Sequence, residues 1–485
     1  MNNKFTLLIV IIALVGFSNM AEAQNVNIPD ANFKSYLVSN SLINTNMDSE
    51  IQVSEAAAYT GLLNVSSKNI ANLTGIEAFT AITTLYCANN QLTSLNLSSN
   101  TALENLECEN NLLTSLNVTG ATALDYVHCF TNRLTNLDVS GNPALTDVTC
   151  YDNDLTNLNV TGLVNLTELY CYDNQLTSLN VSTNTALATL KCHINQLTGL
   201  NVSANTSLVL LDCSNNQLTS LNASTPSLVR LYCSYNPLQN LNVAANAALQ
   251  HLWCDSNQLS SLNVSTNTAL TSLHCSINQL STLNLSTNTA LQALDCYDNN
   301  LSSLNVSANL ALTGLSCAGN QITGLNVSAN TALMELNCSG NQLTSLNVKN
   351  GNNTAFGFFS ATGNPNLQCI EVDNVAYSNA NWAIGKDATA VYSANCAVIS
   401  IRGLANNNTG ILISPSPSTG IFTVETNHVS DMNISVFDMT GKCVYQKHSP
   451  AMLSQAIDLS SASKGVYFVK VMADDHHTIK KIVIQ

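Results

Sequence analysis

Thiols, imidazoles and carboxylates are the groups in this chain with chemistry to offer, and their spacing is regular. Thirteen cysteines run along its middle: Cys87, Cys108, Cys129, Cys150, Cys171, Cys192, Cys213, Cys233, Cys254, Cys275, Cys296, Cys317 and Cys338. The interval is 21 residues, apart from one of 20 between Cys213 and Cys233. His128, His193, His251 and His274 each lie one or three places from a member of this series. Such a series can supply disulfides, metal ligands or nucleophiles. Equivalent residues on paired parallel strands are about 4.8 Å apart, but their side chains point the same way. A disulfide needs converging Cβ vectors, so successive members are not expected to pair. Metal binding at the series is not expected either, because strand alternation puts the histidines on the face opposite the cysteines. His251, Asp255 and His274 could still meet across adjacent strands as a metal set. The sequence holds no H-E-x-x-H, no G-x-S-x-G and no phosphate-binding glycine loop. No catalytic residue is therefore assigned, and an unrecognised hydrolase would have no motif to rest on. The cysteines are read as small buried hydrophobes.

A fixed period of this length belongs to a solenoid, in which each coil buries its apolar side against its neighbours. Within one coil, Leu106 and Cys108 alternate with Asn105, Glu107 and Glu109, the pattern of a strand with one buried face. An asparagine stands three places after every cysteine, from Asn90 to Asn341. Its amide can bond backbone groups left unpaired at the strand end, and stacked copies form a ladder. Leu113, Leu116 and Val118 begin a second apolar run for the opposite wall. So short a coil leaves no room for a helix between the two runs, and turns with extended or 3₁₀ segments are expected on the convex side. The run Leu103-x-x-Leu106-x-Cys108-x-x-Asn111-x-Leu113 is similar to the leucine-rich-repeat pattern, and the array over residues 63–367 resembles that family. The expected fold class is mainly β: a leucine-rich-repeat solenoid with a helical N-terminal cap and a C-terminal β-sandwich tail. In its cap and short coils the chain resembles the internalin-type repeat proteins, which implies adhesion or recognition without catalysis.

If each cysteine and the leucine two places before it point inward, the residues three before, one before and one after each cysteine point out from the concave sheet. Those positions hold nine of the ten aromatics between Thr84 and Ser339 and all four histidines of that span, which marks this face as the functional one. The candidate ligand-binding residues are Tyr126, His128, Phe130, Tyr151, Tyr170, Tyr172, His193, Tyr232, His251, Trp253, His274 and Tyr297. Aromatic side chains supply contact area at low entropic cost. A protein partner is expected, with a glycan stacking its sugar faces on the rings as the alternative. The formal net charge of −15 leaves no basic footprint for nucleic acid or an anionic membrane.

The ends differ in composition. Residues 1–23 read as a secretory signal, with Lys4, an apolar run from Phe5 to Phe17, and Ala21-Glu22-Ala23. That run is too short to span a bilayer, and no other segment reaches spanning length. Residues 24–62 read as the N-terminal cap, with Phe33, Tyr36, Leu37 and Leu42 at near-helical spacing after Asp30. Inside it, the stretch from Asn44 to Glu55 resembles an EF-hand calcium loop. The resemblance implies oxygen ligands from Asn44, Asn46, Asp48, the Glu50 carbonyl and Glu55. Asn44 and Ser49 replace the family's aspartate and glycine, so a Ca2+ affinity of about 10⁻⁴–10⁻³ M is expected. No other cofactor is expected. Residues 368–396 read as a C-terminal cap closed by a Cys369–Cys396 disulfide, which contributes roughly 3–4 kcal/mol in the chain-entropy model. Residues 397–410 are a linker. In residues 411–485, the blocks Ile413 to Val424, Ile434 to Lys442, Gly465 to Val471 and Lys480 to Gln485 resemble the C-terminal sorting domain of the type IX secretion system of Bacteroidota. That resemblance implies a partner in the secretion machinery and delivery through the periplasm to the cell surface or the medium.

Overall fold

Leucine or valine two places before each cysteine and the cysteine itself share one face of an extended strand, and from Leu85 to Cys338 both are buried in every coil. The structure, a computed structural model, describes residues 24–396, 411–473 and 476–485; the signal segment and the linker lie outside these. Short strands stack in parallel into a 15-stranded sheet that runs from Gly61–Asn64 to Phe358–Ser360. Register is strict: Leu169 faces Leu190, and Tyr170 faces Lys191. The thirteen ladder cysteines are free thiols. Burial raises their pKa values, to about 12 at Cys129, Cys171 and Cys317, which holds these thiols in the protonated, unreactive form near neutral pH.

The asparagine after each strand forms the expected ladder. Asn132 donates to the Cys129 carbonyl of its own coil at 3.0 Å and to the Cys108 carbonyl of the preceding coil at 3.1 Å. Its Oδ1 accepts from the Leu113 N–H at 2.9 Å. A second asparagine column, not anticipated from the sequence, stands eight places before the cysteines. Asn142 and Asn184 are fully buried there, and Asn142 Nδ2 donates to the Val118 and Ala121 carbonyls, both at 2.8 Å. Ala121, Leu163 and Thr225 occupy the same column, which is why it escapes a search for invariance. The convex side consists of turns and short parallel pairs such as Ser94–Asn96 with Ser115–Asn117. Among the described residues no α-helix lies between Gly61 and Gln342.

The N-terminal cap is helical over α1 (Ala31–Ser39) and α2 (Val53–Ala58). Asp30 Oδ1 accepts from the Asn32 and Phe33 N–H groups, each at 3.0 Å. Its Oδ2 accepts from Ala71 and Asn72, so one carboxylate both caps α1 and anchors the first repeat. Phe33 and Leu37 are buried as the spacing requires, but the helix ends at Ser39, and Leu42 is 75% exposed.

Two compact units divide the chain, one running through Gln342 and including Phe356–Ala361, the other comprising Leu343–Ala355 and the chain from Thr362 onward. In the second unit, Ser345–Asn347, Cys369–Glu371 and Val391–Ser393 pair in parallel beside α3 (Val375–Asn381), and Cys369 is bonded to Cys396. The tail in the same unit has five antiparallel strands, Ile411–Ser414, Ile421–Phe437, Cys443–Asp458, Gly465–Ala473 and His476–Ile484. They enclose an apolar core that includes Phe422, Ile434, Val436, Ile457, Val469 and Ile482.

Candidate functional site

The in-register sheet lines up identical columns of outward side chains, so a residue's neighbours on this face come from adjacent coils. Of the twelve candidate residues, Trp253 is exposed at 41% and the rest are half-buried against one another. They fall into two groups. In the first, Phe130, Tyr151, Tyr172 and His193 form a column of stacked rings. Their centroids are 4.6, 4.4 and 4.4 Å apart, with interplanar angles of 12°, 6° and 8°. Beside them, Tyr126 packs on His128 at 4.7 Å. Lys191 stands 5.2 Å from the Tyr170 ring, whose hydroxyl donates to Glu168 at 2.6 Å. In the second group, Tyr232, Trp253 and His274 pack at 4.6 and 5.0 Å with tilts of 41° and 51°. His251 and Arg230 occupy the column three places before the cysteines, and Tyr297 stands in a later coil. Between the groups lies the coil with Leu210, Asp212 and Ser214, which has no aromatic residue. The candidate residues therefore form two patches on the sheet.

Three histidines face carboxylates. His128 Nε2 lies 3.1 Å from Asp147 Oδ2, and this hydrogen bond is the main reason its pKa is raised. At His274, burial disfavours the charged ring, but the Asp295 carboxylate 2.9 Å away outweighs it and the value is raised. His193 lies 3.3 Å from Asp212 without hydrogen-bond alignment, and burial lowers its value. Burial, then Arg230, lowers that of His251. Among the described residues no three His, Cys, Asp or Glu side chains gather to hold a metal. The set His251, Asp255 and His274 does not form: His274 pairs with Asp295, and Asp255 accepts from Ser276 N–H and bonds Ser234.

The loop in the cap closes on protein donors. Glu55 Oε1 accepts from the Thr45 and Asn46 N–H groups and the Thr45 hydroxyl, and Oε2 accepts from Gln52 N–H. Asp48 accepts from Glu50 N–H, Asn46 and Gln52. The Glu50 side chain pairs with Lys34 at 2.6 Å. Asn44 Oδ1 is buried with no hydrogen-bond partner.

One further column, two places after each cysteine, was not read from the sequence. From Asn89 to Gly340 every residue in it has a positive φ between 51° and 63°. Asparagine, aspartate and glycine tolerate this left-handed conformation and fill most of the positions. Ile194, Tyr235 and Ile277 also occupy it, at φ of 53°, 57° and 52°. The signal was available as the preference of the column for Asn, Asp and Gly.

Parallel strands in register, asparagine ladders and coils without helices give the array the fold of a leucine-rich-repeat solenoid, with its cysteines stacked in a ladder. The solved functional domain of InlJ from Listeria monocytogenes, itself described as including a cysteine ladder, is similar over 95% of this chain and 98% of its own, at 29% identity and a TM-score of 0.62. A plant peptide hormone receptor, RGFR1 in complex with RGF2, shares the fold over 69% of this chain and 58% of its own, at 20% identity and a TM-score of 0.55. YopM from Yersinia enterocolitica aligns over 60% of this chain and 61% of its own, at 25% identity and a TM-score of 0.48. No match was found among curated proteins. Residues 412–485 match the secretion system C-terminal sorting domain. This tail marks the chain for type IX secretion to the cell surface or extracellular space, a route of the Bacteroidota. Among the described residues no helix is long and apolar enough to cross a membrane.

Proposed function

We propose that the solenoid is a non-catalytic recognition domain that binds a protein partner across the two aromatic patches of its concave face. The stacking of Phe130, Tyr151, Tyr172 and His193 carries the choice of protein over glycan. A sugar needs an exposed ring face, and in this column the inner rings spend both faces on each other. What they offer outward is a rigid row of edges and hydroxyls, suited to the mixed polar and apolar surface of a protein. Trp253, tilted and exposed, is the anchor of the second patch.

The test uses full-length protein as bait. A partner held by the native chain and by the convex variant Thr219→Ala should bind Trp253→Ala at least roughly tenfold more weakly, as expected for an anchor worth about 2 kcal/mol. Tyr172→Ala should weaken it too, with some loss of stability because two stacked contacts go. Binding that survives Trp253→Ala, or that a free sugar competes away, rejects this reading.

We also propose a weak calcium site in the cap. Its support is the oxygen-rich loop and the unpartnered, buried Asn44 Oδ1. A cation would have to take Glu55 from its present N–H donors. Millimolar Ca2+ should raise the melting midpoint of the native chain and not that of Glu55→Gln. No shift in the native chain rejects the site.

A further inference from the structure

The rim of the solenoid, where each concave strand turns away, carries four bulky or β-branched side chains that the local backbone disfavours: Thr131, whose hydroxyl donates to Asp152 at 2.8 Å, and three larger ones with no such bond. The column two places after the cysteines is left-handed throughout, and a β-branched residue there is an outlier. Asparagine or glycine would relieve it, yet Ile194, Tyr235 and Ile277 are present, and all are solvent-exposed, at 47%, 58% and 43%. An apolar residue that is both strained and exposed contributes nothing evident to the fold, and strain retained in this way marks function.

Their spacing is regular. The three stand on alternate coils, with the smaller polar Asn215 and Ser256 between them. Between Tyr235 and Ile277 there is an open depression of about 410 Å³, walled by Pro237 and Gln258 and reaching Ser256. Two coils before Asn215 stands Asp173, and two coils after Ser256 stands Asp298, both exposed. Neither carboxylate accepts a hydrogen bond or joins an ion pair among the described residues. Asn215, between Ile194 and Tyr235, is the equivalent small position two coils before Ser256, so the column reads acid, notch, notch, acid, each step two coils long.

The ladder hydrogen bonds continue through the rim, as in Tyr235 N–H to Asp255 O and Ile277 N–H to Tyr297 O, both 2.9 Å. Coil spacing there is that of paired strands, so two coils span roughly 9.6 Å. One turn of a polyproline-II helix is three residues and about 9.3 Å. Two turns of an α-helix, seven residues, rise about 10.5 Å, and alternate residues of a β-strand repeat at about 6.7 Å. Over the three steps from Asp173 to Asp298 the polyproline-II repeat stays within roughly 1 Å, whereas the helix drifts by nearly 3 Å.

We propose that this rim is a second recognition surface, separate from the concave patches, and that its occupant is a polyproline-II segment of a partner protein with two apolar side chains three residues apart, flanked three residues further out on each side by Lys or Arg. The apolar residues enter the notches over Asn215 and Ser256, and the cations meet Asp173 and Asp298.

The probe is a labelled peptide, Lys-Pro-Pro-Leu-Pro-Pro-Leu-Pro-Pro-Lys, titrated with the full-length chain and followed by fluorescence anisotropy. Saturable binding is expected. Moving the second leucine by one place should weaken it at least tenfold. The double variant Ile194→Asn, Ile277→Asn should weaken it at least tenfold while raising the melting midpoint, because the strain is relieved. Asp173→Asn with Asp298→Asn should weaken binding and flatten its salt dependence. The proposal is overturned if the native chain does not bind at millimolar peptide, if the shifted peptide binds equally well, if a helical peptide with leucines seven apart binds more tightly, or if the isoleucine variants bind unchanged. The probe reports on the rim alone, so failure of the concave reading leaves this result standing, and the reverse.

Discussion

Asn184 and Cys192 are both buried in one coil, yet they hold it by different means. Asn184 Nδ2 donates to the Val160 and Leu163 carbonyls of the preceding coil, each at 2.9 Å, shorter than the backbone bonds those carbonyls accept from Leu163 and Leu166 N–H at 3.4 and 3.3 Å. Asn184→Ala should destabilise the array by about 1–3 kcal/mol, because two short buried hydrogen bonds between coils are lost, read as a lower denaturation midpoint. Cys192 contributes volume. In the folded chain only Cys443, the exposed thiol, should react with a thiol reagent; after denaturation without reductant, 14 free groups should appear. Oxidation of most of them in a folded sample would contradict the in-register geometry. The histidine pairs give a pH signature. His128 and His274 hold protons more tightly when folded, so their contribution is full below the ordinary value near 6.5 and fades as pH rises through their raised values. His193 and His251 act in the opposite sense. The comparison that isolates one pair is native against His274→Gln: the difference in melting midpoint should be largest near pH 5 and smallest near pH 8.

At the scale of elements, the weakest point of an open solenoid is its end, where the core lacks a neighbouring coil. α1 covers the N-terminal end with Phe33 and Leu37, and Asp30 ties it in by bonding both its own helix and Ala71 and Asn72. Asp30→Ala removes a helix cap worth about 1 kcal/mol and the anchor to the first repeat together. Hydrogen exchange should speed up at Asn32, Phe33, Ala71 and Asn72 while the middle coils keep their protection. Exchange unchanged at Ala71 and Asn72 would mean that the anchor is not holding the cap. The resemblance that placed a calcium loop in this cap rested on residue types. Glu55 and Asp48 accept from the loop's own N–H groups, and these are the acceptors that the proposed cation would have to take over.

At the scale of the molecule, the proposed binding face and the sorting tail occupy different parts of the chain. The tail has its own apolar core of fifteen residues and none of the solenoid's columns. Removing residues 411–485 should therefore leave the melting midpoint of the array unchanged while abolishing surface display, with the protein retained in the periplasm. Normal display without the tail would separate this chain from the sorting-domain route. Cys369 and Cys396, which are bonded, fall outside the sequence series of the free ladder thiols. An exported chain keeps such a pair oxidised, so reductant should lower stability through this bond alone.

The sequence by itself determined the solenoid, its coil length, its inward and outward faces, the Asn90 to Asn341 ladder, the Cys369–Cys396 pair and the tail. The solenoid features follow from a period along the chain, two for a strand and 21 for a coil; the Cys369–Cys396 pair stood out by falling outside that period, and the tail by its four sequence blocks. The extent of α1 was less legible, since Leu42 continues the apolar spacing past the point where the helix stops. Tertiary structure decided what depends on distance between coils and on the sign of a backbone angle. Tyr151 and Tyr172 are 21 residues apart, and only the stacked sheet brings their rings to 4.4 Å and hides the faces that a sugar would need. Only the left-handed backbone at Ile194 and Ile277 shows that two ordinary-looking isoleucines are held in place against local preference. Hydrophobic spacing records which way a side chain points; it does not record what the next coil places beside it.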